Sequence, residues 1–263
     1  MIMFSNQPRK LYRRRQLIEV ICQLRFPEIL MIEAKEPAAF QDTIRQAYPQ
    51  YGKKAEQLPP QTVAGKPVDQ GTVNNYQFIS ADNAWKVSLT KSFIALSTTR
   101  YTSWEEFAKR LDVILAAFIK TYQPSYFSRV GLRYMNAFNK AALGLADTPW
   151  QQLIAPGYLG LMADEDAARQ NFIKCEQTVT ATMPGGAKAN IKCGPGLLRK
   201  VDNRTRQVEE QKVYLLDLDV FFDGKMPLGQ VTGALNIVHD NAASLFAGAV
   251  QQPLLDAMEP EEP

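Results

Sequence analysis

The stretch 127-FSRVGLRYMN-136 decides how the chain is read. Its apolar and aromatic residues at short intervals predict a β-strand over 126–138. Yet Arg129 and Arg133 stand four apart inside it. Successive side chains of a strand point to opposite faces. Arg129, Gly131 and Arg133 therefore share one face, and Val130, Leu132 and Tyr134 share the other. Such a strand belongs to a sheet with one apolar face and one polar face. Two other segments repeat the pattern. In 17-LIEVICQLRF-26, Val20, Cys22, Leu24 and Phe26 lie on one side, with Glu19, Ile21, Gln23 and Arg25 on the other. In 212-KVYLLDLDVFF-222, Asp217 and Asp219 share a face opposite Tyr214, Leu216, Leu218 and Val220.

Around these strands the periodicity changes in an ordered way. Residues 36-EPAAFQDTIRQAY-48 predict a short helix, with Phe40, Ile44 and Tyr48 at four-residue spacing and Pro37 in the first turn. Residues 50–71 lack periodicity and read as a loop. Three strands follow over 72–80, 84–90 and 92–99, forming a meander. The strongest helix begins after Ser103, a predicted N-cap with Glu106 three residues on, and ends before Pro124. Trp104, Phe107, Leu111, Leu115, Phe118, Ile119 and Tyr122 form its apolar stripe.

The remainder echoes this order. Thr148 and Pro149 open a short helix. Strands are predicted over 171–183 and 187–193, turning at Pro184-Gly185-Gly186 and ending at Gly194-Pro195-Gly196. The Asp217 strand follows, and then a long helix from about Leu228 toward Pro253. Both halves read β-α-β-β-β-α. The expected fold is α+β: a duplicated unit, a mostly antiparallel curved sheet, and long helices packed on one face. The expected organisation is a basic arm at 1–16, a first half at 17–124, a second half at 125–258 and an acidic tail at 259–263.

Composition narrows the class. The chain has 263 residues, 46% of them hydrophobic, enough for a sizeable core. No apolar run approaches the ~20 residues that span a bilayer, and the N-terminal basic residues follow a very short apolar stretch, the reverse of a secretory leader. Cys22, Cys175 and Cys193 are three and widely spaced, which argues against a disulfide framework and points to a cytoplasmic protein without membrane contact. The net charge is +3, but Arg9, Lys10, Arg13, Arg14 and Arg15 hold five of the 30 basic residues. Without them, 25 basic residues face 27 acidic ones, so the body is near neutral.

Three segments carry a resemblance: the LIEVICQLRF strand, the central RVGLRYMN and the late 237-IVHDNAASLF-246. The chain resembles a sporadically distributed, largely uncharacterised prokaryotic family. Its members open with a Pro-Leu-acidic-Val strand ending in Arg-Phe. They carry Arg-x-Gly-Leu-Arg-Tyr-x-Asn in the middle and end in a helix with a His followed by a Phe. The likeness runs over essentially the whole chain, with Gln16 where the family has proline. The family's patchy distribution is similar to that of accessory and phage-defence genes, which implies an antiviral or accessory setting without supplying a mechanism.

If the three charged strands are neighbours, Glu19, Arg25, Arg129, Arg133, Asp217 and Asp219 form one polar cluster, with Asn136 adding an amide. Two chemistries suit it. One is a cross-strand lattice of ion pairs. The other is an anion site, in which Arg25, Arg129, Arg133 and Asn136 take a phosphate or carboxylate. Gly131 marks a bulge or a close backbone approach. Asp217 and Asp219 also invite a Mg²⁺ reading, with Asp223 or Glu19 as a third ligand. His239 is the single histidine, so no His-His metal site exists, and no cysteine is selected as its nucleophilic partner. Phosphate-loop, dinucleotide, nucleophile-elbow and zincin motifs are absent, so neither a cofactor nor a bound metal is expected. The leading reading is a non-catalytic binding component whose partner is another protein chain or a second copy. The alternatives are a metal-dependent enzyme acting on nucleotides or nucleic acid, and a nucleic-acid-binding protein using Arg9, Lys10, Arg13, Arg14 and Arg15. The charged hairpin from Arg199 to Lys212 is a further contact surface.

Overall fold

A computed structural model describes residues 11–57, 61–63, 66–68, 71–164, 175–201 and 208–261. Two short strands, β1 (Leu11–Tyr12) and the amphipathic β2 (Leu17–Arg25), open it. The chain forms two compact units. The first holds Ile21–Val130 and Asp223–Thr232; the second holds the chain up to Val20, Gly131–Phe222 and everything from Gly233 onward. The architecture is mixed α/β with a mostly antiparallel sheet.

In the first unit, α1 (Leu30–Ala34) and α2 (Ala38–Ile44) follow β2. Next come β3 (Gln50–Gln57), a separate hairpin of β4 (Gln61–Val63) and β5 (Lys66–Val68), and the meander β6 (Thr72–Ile79), β7 (Trp85–Leu89) and β8 (Phe93–Thr98). The strand order from β2 is β8, β7, β6, β3. Helix α3 (Trp104–Tyr122) lays Phe107, Leu111, Leu115 and Phe118 into the core. Phe107 meets Trp85 at 5.7 Å between ring centroids, and Phe118 meets Phe26 at 4.8 Å. The expected cap forms: Ser103 Oγ accepts the Glu106 N–H, and Gln123 closes the helix in the left-handed region.

The loop expected over 50–71 is overturned by β3, which pairs antiparallel with β6 from Gln50 opposite Ile79 to Gln57 opposite Thr72. Its side chains are exposed on both faces except at Gly52. A strand that buries neither face leaves no alternation in the sequence, so periodicity could not find it.

The second unit takes β9 (Phe127–Phe138) from Gly131 onward, a 3₁₀ turn at Trp150–Gln152, and α4 (Pro156–Leu159). It continues through β10 (Gln177–Thr182), β11 (Lys188–Val201) and β12 (Val208–Met226), the last belonging to this unit as far as Phe222. Two helices, α5 (Val231–Ala249) and α6 (Gln252–Ala257), and the short β13 (Pro260–Glu261) complete it. Its strand order is β10, β11, β12, β9, β2. The rows Ile191–Leu218 and Ala189–Val220 are buried on one face. Phe138 meets Phe246 of α5 on that same side, with centroids 6.3 Å apart.

The strand expected to stop at Gly194-Pro195-Gly196 instead runs through it. β11 pairs with β12 over its whole length, with Gly194 opposite Leu215 and Gly196 opposite Val213. Gly194 is there for space: a Cβ would sit 2.2 Å from the carbonyl oxygen of Cys175. Pro184-Gly185-Gly186 does turn the chain, with Gly185 at φ 76° and Gly186 at φ 83°.

Two outcomes follow. Gly194→Ala should destabilise the protein by about 1–3 kcal/mol in a denaturant titration, because backbone rather than a flexible side chain must give way, whereas Gly52→Ala, with open space around its Cβ, should change little. The Glu106 carboxyl is held below its usual range by the Thr102 hydroxyl and, after the opposing effect of burial, by Arg110. A depressed folded-state pKa gives stability that is present above the unfolded value and lost as pH falls through the folded one. Glu106→Gln should therefore lower stability at neutral pH, with the difference shrinking as pH falls below the ordinary carboxylate range.

Candidate functional site

Alternation on the strands of the second unit assigns two faces. On the covered face, Tyr134 and Phe138 both reach α5, so Asn136 between them points the same way. Asn136 is 5% exposed, and its Nδ2 donates to the carbonyl of Leu216 at 3.3 Å. The anion-site amide expected on the arginine face is therefore a cross-strand tie on the opposite face. Parity is the reason: Asn136 is three residues from Arg133, an odd step along a strand.

The other face carries the charges. Arg133 grips Asp217 with both arms of its guanidinium, Nε to Oδ1 at 2.7 Å and Nη2 to Oδ2 at 2.5 Å. The Arg133 side chain is 41% exposed and that of Asp217 17%. The hydrogen bonds to Asp217, with the charges of Asp217, Asp219 and Glu19, push the Arg133 guanidinium above its already high pKa against partial burial. Four of the expected residues, Glu19, Arg133, Asp217 and Asp219, thus share one field. Across the ladder, Lys192 stands opposite Asp217 and Asn190 opposite Asp219. Asn190 Nδ2 donates to Asp219 Oδ2 at 3.4 Å, and Thr180 Oγ1 donates to Asn190 Oδ1 at 2.9 Å. Lys188, Lys192, Thr178, Thr180 and Thr182 are exposed beside them. Lys192, Asn190 and Thr180 escaped the sequence reading. Applying the same alternation to 187-AKANIKC-193 would have found the first two.

Arg25 and Arg129 belong to the first unit. Arg25 is exposed, and its Nε donates to Gln23 Oε1 at 3.0 Å. Arg129 is half-buried, and its charge partly opposes the burial that pushes the Cys22 thiol up to about 12. All three cysteines are free thiols, with Cys22 and Cys193 buried.

His239 is 7% exposed on the covered face, with Nδ1 and the Tyr134 hydroxyl 2.8 Å apart. Tyr134 is the partner that the sequence left unnamed. No protein-family model matches this chain, and no curated protein matches it.

The described part of the basic arm is engaged within the second unit. β1 pairs with β13, Leu11 opposite Glu261. Arg13 Nη2 lies 2.8 Å from Glu261, and Arg14 lies 3.9 Å from Glu259 while donating to the Ala142 carbonyl. Arg15 donates to the Tyr12 carbonyl at 3.1 Å. Arg9 and Lys10 lie outside the described residues, as do positions 202–207 of the expected Arg199–Lys212 hairpin. In its described stem, Arg199 is bonded to Glu210 at 2.7 Å. Among the described residues no three His, Cys, Asp or Glu side chains converge as a metal cluster, and both oxygens of Asp217 are taken by Arg133. Nor is any helix among them long and apolar enough to cross a membrane.

A double-mutant cycle measures the fork. Arg133→Ala should cost about 1–2 kcal/mol, since it leaves the mostly buried Asp217 without its cation. The coupling energy between Arg133→Ala and Asp217→Ala should be about 1 kcal/mol, because Arg133 is partly solvated. Coupling near zero would mean that the pair is incidental.

Proposed function

We propose that the protein is a non-catalytic binding component, working in the cytoplasm as part of a prokaryotic accessory or phage-defence system, and that it recognises another protein chain through the charged sheet face around Arg133 and Asp217. The observation that carries this reading is the Arg133–Asp217 fork. The two charges engage each other through both carboxylate oxygens, and Asn190 and Thr180 extend the hydrogen bonding from Asp219 along the same face. It presents paired polar groups whose desolvation by a partner costs less than that of lone charges, and whose pattern specifies the partner's orientation.

The fold supports an origin by internal duplication. The order β2, α2, β6, β7, β8, α3 parallels β9, α4, β10, β11, β12, α5, with α1, β3, β4 and β5 as additions to the first series. The defence setting rests on the resemblance in the LIEVICQLRF, RVGLRYMN and IVHDNAASLF segments. Nucleic-acid binding through the arm is disfavoured by Glu259 and Glu261, which pair with Arg14 and Arg13.

Native mass spectrometry of the protein purified gently from its own host tests the reading. The parent should retain a second, different protein chain. The charge exchange Arg133→Asp with Asp217→Arg should keep the fold and lose that chain, since it preserves the internal pair but inverts the pattern shown to the partner. Retention instead of a nucleotide-sized or metabolite-sized mass, lost in Arg133→Ala, would overturn the proposal in favour of a small-molecule anion site.

A further inference from the structure

The sheet edges of the two units are built differently. β3, the last strand in the order of the first unit, carries Lys53, Lys54 and Glu56 within eight residues. Charges of this kind, lysines above all, guard an edge, because pairing another strand there would strip them of water. β10, the last strand of the second unit, reads Gln-Thr-Val-Thr-Ala-Thr. It has no charge, no proline, no glycine and no bulge. Among the described residues it pairs with β11 alone, in an unbroken register from Gln177 opposite Cys193 to Thr182 opposite Lys188. Alternate residues of β10 thus turn their backbone N–H and C=O groups away from the sheet.

The side chains are unfinished in the same direction. On the covered face, the rows Leu218–Ile191–Val179 and Val220–Ala189–Ala181 run outward to the edge. Their inner members are fully buried, while Val179 and Ala181 are only half-buried. Among the described residues the apolar rows therefore end on these two side chains.

We propose that β10 is a self-association edge, where it pairs antiparallel with β10 of a second copy of this chain about a two-fold axis through Thr180. In that register Thr180 faces Thr180, Thr178 faces Thr182, and Val179 faces Ala181. The first two give threonine pairs on the outer face, which stabilise antiparallel ladders. The third closes both apolar rows with residues of matching size. No charge opposes its like anywhere along the pairing. Self-complementarity is what an isologous contact requires, and the same strand on both sides satisfies the outward backbone groups. Gln177, whose amide donates to the Gly157 carbonyl, marks where α4 limits the edge. The edge borders the charged face, to which Thr180 is tied through Asn190, but the pairing needs no partner chain, so measuring the purified chain alone distinguishes its failure from failure of the hetero-partner reading.

The test uses the purified full chain without any partner. Sedimentation equilibrium up to about 100 μM, the range that a contact smaller than a standard interface requires, should show the mass rising from 29.5 kDa toward twice that value. Thr180→Lys is exposed and leaves the core untouched. It sets like charges directly opposite across the axis and should hold the chain at the monomer mass. Thr180→Glu should do the same alone, and an equimolar mixture of the two should recover the dimer. A parent chain that stays at 29.5 kDa throughout would overturn the proposal, as would a parent dimer that Thr180→Lys leaves intact or a mixture that fails to recover it. Circular dichroism of each variant distinguishes lost pairing from lost folding, and Thr178→Lys, which faces Thr182 across the axis, repeats the test at a second position.

Discussion

Everything in the second unit hangs on the register between β11 and β12. Side chains change face at every step along a strand, so a slip of one residue exchanges the two faces completely. In the observed register, Ile191 and Leu218 are buried together while Lys192 and Asp217 meet on the other side. A one-residue slip would drive Asp217 and Asp219 toward α5 and set Leu216 and Leu218 in water. The cost of burying two carboxylates without partners far exceeds anything the slipped ladder could return. The Arg133–Asp217 fork then ties β9 to that register across 84 residues of sequence, and Asn136 to the Leu216 carbonyl ties it from the opposite face.

Glycine is what makes so long a pairing continuous. Fourteen residues of β11 run beside β12, and in their middle the backbone of Cys175 comes close enough to exclude any side chain at Gly194. Proline beside it donates no hydrogen bond to the ladder. A Gly-Pro-Gly segment normally signals a turn; here it lets a strand continue where the Cys175 backbone leaves no room for a Cβ at Gly194. The same residue type thus serves two purposes within ten positions, since Gly185 and Gly186 do adopt the positive φ of a turn.

The polar face and the sheet edge offer different kinds of recognition. In the proposed assembly the internally paired face would contribute orientation and selectivity more than raw affinity. The β10 edge, which among the described residues pairs with β11 alone, would contribute affinity for a second copy.

Alternation alone determined which residues of 17–26, 127–136 and 212–222 face the core, and the burial of Val20, Cys22, Leu24, Leu132, Leu216, Leu218 and Val220 agrees. The capping pair of Ser103 and Glu106 was likewise legible, because it depends on neighbours three residues apart. Tertiary structure decided the rest. β3 was hidden because an edge strand exposed on both faces has no period. The glycine at 194 misled because its reason is a carbonyl nineteen residues away in sequence, which would lie 2.2 Å from a Cβ at that position. What each arginine would meet was equally undetermined. Arg25, Arg129 and Arg133 look alike as letters on amphipathic strands, and the placing of β9 beside β12, with its register, brings Arg133 against Asp217. Short-range patterns fix what a residue turns away from; only the packing of distant segments fixes what it turns toward.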